Sequence, residues 1–348
     1  MNTKCIGKRT VRFQTPPRIL STGTIVGDVE GEGPLGSYFD IILKDDMWGE
    51  KSYEKCECKM FEQSVRTALE KIGMDTEELD IVLGGDLLNQ LITANFAARQ
   101  LGRPFLGLYG ACSTMAEGLL VGSMLIDGGF ANSVSATASS HFSTAERQFR
   151  MPLELGGQTP PTSQRTVTGA GTVIICDGQN AADKNNSLSI FENIVVVGGT
   201  IGKVIDYGIT DANNMGGVMA PAAADTLLTY LEESGETVED FDYIITGDLG
   251  SFGAKMFKEL CHDSGVELGD KHIDCGNIMF LPQQNTKCGG SGCGCAATVF
   301  GGYLLKRMEA GDFKRVLFMA TGALMSPVSS MQGESIPAIA HAVVVERR

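Results

Sequence analysis

The sequence predicts an α/β protein made of two pseudo-duplicated halves, its strands and helices stacked in layers. Three observations carry this. Short apolar runs alternate with segments of helical periodicity, the pattern of sheet covered by helices. Landmarks of the first half recur in order in the second. Leu69, Gly73, Asp80 and Asp86 stand 162 residues before Leu231, Gly235, Asp242 and Asp248, while Cys112 and Gly128 stand 183 before Cys295 and Gly311. Two ordered sets with constant internal spacing mark a duplication rather than chance. Third, residues 109–129, YGACSTMAEGLLVGSMLIDGG, read as a strand end, a tight turn and a helix with Cys112 at its start. There the unpaired backbone N–H groups and the macrodipole favour a thiolate or a bound anion.

In chain order, residues up to about 17 are polar and read as an extended arm. Residues 18–29 form a strand and Gly-rich turn, and 31–36 a loop. Spacing predicts a helix over 56–72, closed by Gly73, then a buried strand at 80–84 opening into GGDLLNQ. A helix over 91–101 ends at Gly102, and an apolar run at 104–109 leads to Cys112. Gly118 and Gly122 lie four apart, a flat face for close approach of another helix. After a strand at 133–138 comes a polar, Pro-rich excursion at 139–166 carrying His141, Glu146, Arg147, Arg150 and Arg165. A strand at 168–176 and a polar connector at 181–186 close the first half. The domain division is therefore 1–185 and 186–348. Strands alternating with helices imply a parallel sheet, whose ligands bind beyond the carboxyl ends of its strands.

Composition narrows the function. The 348 residues carry a net charge of −14 with no offsetting basic run, which argues against nucleic acid as a partner. Ten cysteines in a long chain opening MNTKCIGKRT, without the apolar core of a signal peptide, point to reduced thiols in a cytosol-like compartment. No apolar stretch is long enough to span a membrane. Cys56-x-Cys58 and Cys293-x-Cys295 lack finger spacing, so no metal site is expected.

The motifs go further. GDLLNQ at 85–90, GACSTM at 110–115, SSHFSTAERQFR at 139–150, TVTGAG at 166–171, GITD at 208–211, MAPAAADT at 219–226, GGSGCGCAA at 289–297 and ESIPAIAHAV at 334–343 together resemble the stage V sporulation protein AD family of endospore-forming bacteria. The resemblance spans nearly the whole chain, more loosely at 29–60 and 179–187. It implies a thiolase-like fold in a layered αβαβα arrangement, and a duplicated α/β chain with a cysteine opening a central helix suits that fold. It also implies dipicolinic acid as ligand, usually as its calcium chelate, bound where condensing enzymes of the same fold have their active site. No other cofactor is implied. The partners implied are the other stage V sporulation A membrane proteins and a second copy of the chain. The site implied is peripheral, on the cytoplasmic side of the spore inner membrane.

A condensing enzyme needs a thiolate, oxyanion donors, and His or Asn groups to handle the enolate or leaving carboxylate. Cys112 supplies the first. Where related synthases carry a His, this chain has Gly247-Asp248-Leu249-Gly250, and where they carry an Asn it has Gly289-Gly290-Ser291-Gly292. A non-catalytic binding protein is therefore expected, with a Cys-dependent acyltransferase as the alternative. The expected ligand site comprises Cys112, Asp86, His341 and His141, assisted by Asn89, Gln90 and Arg147. Asp86 and Cys112 follow strands of one sheet and reach the same ligand, with His341 approaching from a terminal strand of the other half. Each has a plainer reading. Asp86 caps the following helix, the more so because Asp248 is its twin, and His341 is a core histidine. Glu146, Arg147 and Arg150 form a solvated face, and Asn89 and Gln90 satisfy loop backbone.

Overall fold

The computed structural model describes residues 4–149, 159–177 and 189–348. Arg150, the connector at 181–186 and the division at 185/186 lie outside these residues. The strands are β1 (Thr10–Arg12), β2 (Arg18–Val26), β3 (Ile41–Ile42), β4 (Ile81–Gly85), β5 (Phe105–Gly107), β6 (Ser133–Ser140), β7 (Arg165–Thr166), β8 (Gly169–Cys176), β9 (Ile194–Thr200), β10 (Tyr243–Thr246), β11 (His272–Asp274), β12 (Gly290–Ser291), β13 (Arg315–Ala323) and β14 (Ala338–Arg347). Their main path runs β11-β10-β13-β14-β9-β2-β8-β6-β4-β5. Followed outward from its middle, the path gives the same winding twice: β2-β8-β6-β4-β5 and β9-β14-β13-β10-β11. The two arms meet where Arg18 pairs with Val195.

The sheet is mixed rather than parallel. β4 runs parallel to β5 and β6, as β10 does to β11 and β13, but β8 and β14 run antiparallel to their neighbours. Between β13 and β14 the chain forms only the short helix Pro327–Met331, too little for the helical crossover a parallel return needs. β6 is flanked on both sides and is no edge. The open edges of the path are β5 and β11.

The duplication reaches individual hydrogen bonds. Asp80 accepts from the main-chain N–H of Asn132 and Ser133, and Asp242 from Lys314 and Arg315. Each carboxylate thus pins the start of the strand that will lie beside its own. Reciprocal capping boxes at Asp75 with Glu78 and at Thr237 with Asp240 precede them, satisfying orphan N–H groups before β4 and β10 in the same way.

Two helices form the central layer. Thr114–Asp127 packs on β4, β6 and β8 from one arm and on β9, β13 and β14 from the other. Cys293–Thr298 continues through a π turn, Val299–Leu304, into Leu305–Glu309, and Phe300 stacks on Phe318 of β13 at 4.3 Å. Tyr53–Glu70 covers β2, β6 and β8 from outside, and Met215–Ser234 covers β9, β13 and β14. Strand alternation divides the cores. Ala340, Ala342 and Val344 join the outer cluster, while Val343 and Val345 join the central one. Gly122 permits close approach, but of sheet rather than helix: a Cβ there would lie 2.9 Å from Ile175 and 3.1 Å from Val134.

Candidate functional site

β5 ends in the turn that presents Cys112. Ala111 sits in the left-handed region with φ 49°, a conformation an L residue holds only when its surroundings enforce it. Here they do. The carbonyl of Ala111 accepts from Thr114 Oγ1 at 2.7 Å and from Cys293 Sγ at 3.0 Å. Ser113 Oγ donates to Ala320 O at 2.8 Å and accepts from His341 N at 3.0 Å. Opposite, Gly322 leaves no room for a side chain, since a Cβ would lie 2.0 Å from Gly110 O. Both halves therefore clamp the turn.

Cys112 opens into a narrow cavity. Leu87, Tyr109, Phe149, Met215, Met219 and Met325 form its apolar walls, and Glu146, Thr166, Ser291 and Gly292 add polar groups. Three methionines with aromatic rings make a soft, polarizable lining suited to a flat ring. Behind the cysteine stands Asp248, fully buried. Its Oδ2 accepts from Ser291 Oγ at 2.8 Å and Gly292 N at 2.9 Å, and its Oδ1 from Thr321 Oγ1 at 2.8 Å. The Cys112 thiol lies near enough to feel the charge of this carboxylate. Burial pushes Asp248 up to about 6 against those hydrogen bonds. Burial, then the Asp248 charge, holds the Cys112 thiol well above its ordinary value.

Of the seven residues expected at the site, Cys112 is the one that lines this cavity. Asp86 is buried and accepts from Leu88 N and Ala94 N, both at 2.7 Å, capping the turn and helix that follow. Its twin does not share that job, because Asp248 accepts from Ser291, Gly292 and Thr321 instead. His341 is buried on β14, its Nδ1 accepting from Gly202 N at 3.1 Å, and burial lowers it to about 4. It contacts the Cys112 turn through its backbone, not its ring. His141 Nδ1 accepts from Ser143 N at 3.1 Å and Nε2 donates to Asp46 O at 2.8 Å, so burial keeps it neutral. It does not converge with Arg147, which is exposed and pairs with Glu54. Asn89 and Gln90 are exposed. The Asn89 N–H donates to Gln148 Oε1, and the Gln90 carbonyl accepts from Asn95.

Two buried acids, one lining the cavity and one beside Asp86, were not legible in the sequence. Glu146 was read on a solvated face, yet it is buried, bonded to Thr166 Oγ1 at 3.2 Å, and lines the cavity. Helical spacing held the signal: Phe142, Ala145, Glu146 and Phe149 share one face of Phe142–Phe149. Glu57 lies beside Asp86, takes hydrogen bonds from Ser139 and Thr144, and is pushed up to about 8 by burial and by that neighbouring charge. Among the described residues, no group of three or more His, Cys, Asp or Glu could hold a metal ion, and no helix is long and apolar enough to cross a membrane.

The family model for stage V sporulation protein AD matches residues 7–346. The stage V sporulation protein AD of Bacillus subtilis (strain 168) is 45% identical over 344 residues, 99% of this chain and 98% of that protein. Among solved structures, the chain is similar to 3-oxoacyl-[acyl-carrier-protein] synthase III of Aquifex aeolicus VF5, with TM-score 0.57 and 16% identity over 95% of this chain and 99% of that one. It is also similar to human mitochondrial 3-ketoacyl-CoA thiolase, with TM-score 0.60 and 13% identity over 97% and 99%. These likenesses show the thiolase-like fold.

Proposed function

The chain belongs to the stage V sporulation protein AD family, and on that premise we propose that it binds dipicolinate (pyridine-2,6-dicarboxylate), carried as its calcium chelate, and supports its entry into the developing spore without condensing acyl groups. The observation that carries the reading is the Cys112 cavity: apolar sulfur and aromatic walls, with a buried carboxylate against the cysteine. A planar pyridine ring suits those walls. A free dianion would lie near Glu146 and Asp248, which is costly in a site removed from water. The chelate brings its own compensating charge, which favours it over the free acid.

The same carboxylate argues against condensation. Enolate chemistry builds negative charge, and an Asp beside the cysteine opposes it where a His or amide would assist. We further propose that the protein works as a homodimer, peripheral on the cytoplasmic side of the spore inner membrane, with the other stage V sporulation A membrane proteins. The dimer would use β5, an open edge with Leu106 exposed and with Phe96, Tyr109 and Phe130 exposed on neighbouring segments. Calorimetric titration with dipicolinate, with and without calcium, beside a thioester-condensation assay on the same sample tests the function. The reading expects heat that is larger with calcium, and no turnover. Cys112-dependent turnover of acyl-CoA without dipicolinate heat would overturn it in favour of an acyltransferase.

A further inference from the structure

We propose that the groove between helices Tyr53–Glu70 and Ile92–Leu101 is a second ligand site, separate from the Cys112 cavity, and that it takes a small organic carboxylate with an apolar body. Both helices run back against β4, one leading into it and one leading out, so they lie side by side with their N-terminal ends together. Arg66 on the first donates to Gln100 O on the second, in keeping with that alignment. The groove has a volume of about 780 Å³, within the range of small-molecule sites. It shares no lining residue with the Cys112 cavity. Cys58, Ile92 and Phe96 give it an apolar wall, and Ile92 and Phe96 are left 46% and 45% exposed, so apolar area stays uncovered there.

Thr93 supplies the polar recognition. It lines the groove, is 2% exposed, and its Oγ1 has no hydrogen-bond partner among the described residues. A buried hydroxyl without a partner destabilises the free chain, and a ligand oxygen placed beside it removes that cost. Thr in a helix has two open χ1 wells, so the hydroxyl can turn to the groove. The sign of the ligand's charge follows from the rim. Glu50 pairs with Lys59 at 3.6 Å, Glu54 with Arg147, and Glu62 with Arg66 at 2.9 Å. Lys55 and Arg99 also line the groove and have no carboxylate partner among the described residues. Arg99 lies over the Phe96 ring at 4.6 Å. Lys55 stands in the first turn of its helix, at the end where both helices begin, and the two macrodipoles add to its charge. The carboxylate belongs at that end, between Lys55 and Thr93, with the apolar body running along Ile92 and Phe96 toward Arg99. From residue 55 to residue 62 the helix rises about 10 Å, room for an eight-carbon chain.

The test titrates the full-length chain with sodium octanoate by isothermal calorimetry, with octan-1-ol as the uncharged counterpart. Saturable octanoate heat in the millimolar range or tighter is expected, and none from octan-1-ol at matched concentration. Lys55→Glu should weaken octanoate about tenfold or more, and Ile92→Ser severalfold. Thr93→Val, which keeps the shape and loses the hydroxyl, should weaken octanoate severalfold while raising the thermal midpoint of the free chain. Cys112→Trp, which fills the other cavity, should leave octanoate binding as in the parent. Absence of saturable heat, equal binding of octan-1-ol, or loss in Cys112→Trp with retention in Lys55→Glu would overturn the proposal. So would a Thr93→Val chain with a lowered midpoint and unchanged octanoate affinity, because the hydroxyl would then serve the fold. Should Thr93→Val not fold by circular dichroism, the exposed substitutions Lys55→Glu and Ile92→Ser decide the matter alone, and octanoate binding like the parent's in both overturns the site. The proposal is independent of the dipicolinate reading: a parent that binds no dipicolinate leaves it standing, and a parent that binds no octanoate leaves that reading standing.

Discussion

Replacing Glu57 by Gln should flatten the dependence of stability on pH. In the folded chain burial, then the charge of Asp86, raises the Glu57 carboxyl from 4.5 to about 8. Unfolded, it loses its proton near the ordinary value. Between these limits the folded state holds the extra proton, so stability falls as pH climbs from about 4.5 through 8 and levels off above. One linked proton is worth about 1.4 kcal/mol per pH unit, which integrates to a loss of roughly 2–3 kcal/mol between pH 6 and 9. Glu57→Gln has no proton to lose and keeps the hydrogen bonds. Its carbonyl can accept from Ser139 Oγ and its amide can donate to Thr144 Oγ1, whose hydroxyl then donates to His141 O at 3.0 Å. Glu30, raised to about 7, and Asp248, raised to about 6, titrate in the same window but are present in both proteins and cancel in the difference. Guanidinium unfolding by far-UV circular dichroism, at one protein concentration and at pH 6 and 9, measures that difference. Parallel losses in parent and variant would refute a buried, protonated Glu57.

Three further outcomes are expected. Cys112→Trp should abolish dipicolinate binding with the fold intact, while Cys112→Ala weakens it modestly, because the residue is a wall of a narrow cavity; calorimetry that finds Cys112→Trp binding like the parent would move the ligand elsewhere. Asp86→Ala strands two buried N–H groups, those of Leu88 and Ala94, and should cost about 2–4 kcal/mol in denaturant unfolding; an unchanged midpoint would release Asp86 from its capping role. Leu106→Asp on the open β5 edge should convert a dimer to a monomer by light scattering at micromolar concentration, and a parent already monomeric there would remove the dimer proposal.

What the sequence by itself determined is whatever rests on local order and repetition. The constant offset between Asp80 and Asp242 survives as matched strands and matched hydrogen bonds because it is a spacing along one chain. The strand, turn and helix around Cys112 were legible for the same reason, and so was the family, through motifs that are contiguous. What only the tertiary structure decided is where distant segments meet. Asp86 and Asp248 share the same Gly-Asp-Leu triplet after their strands, yet one faces the N–H groups of its own following helix. The other meets a serine, a glycine and a threonine brought from residues 291, 292 and 321. Glu146 follows the charge pattern of a surface helix, but the helix turns that face onto the cavity. The direction of β8 and β14 likewise depends on how their connections return, which periodicity does not encode. A side chain's partner is set by through-space packing, and duplicated sequence does not duplicate it once the two halves face each other across a single site.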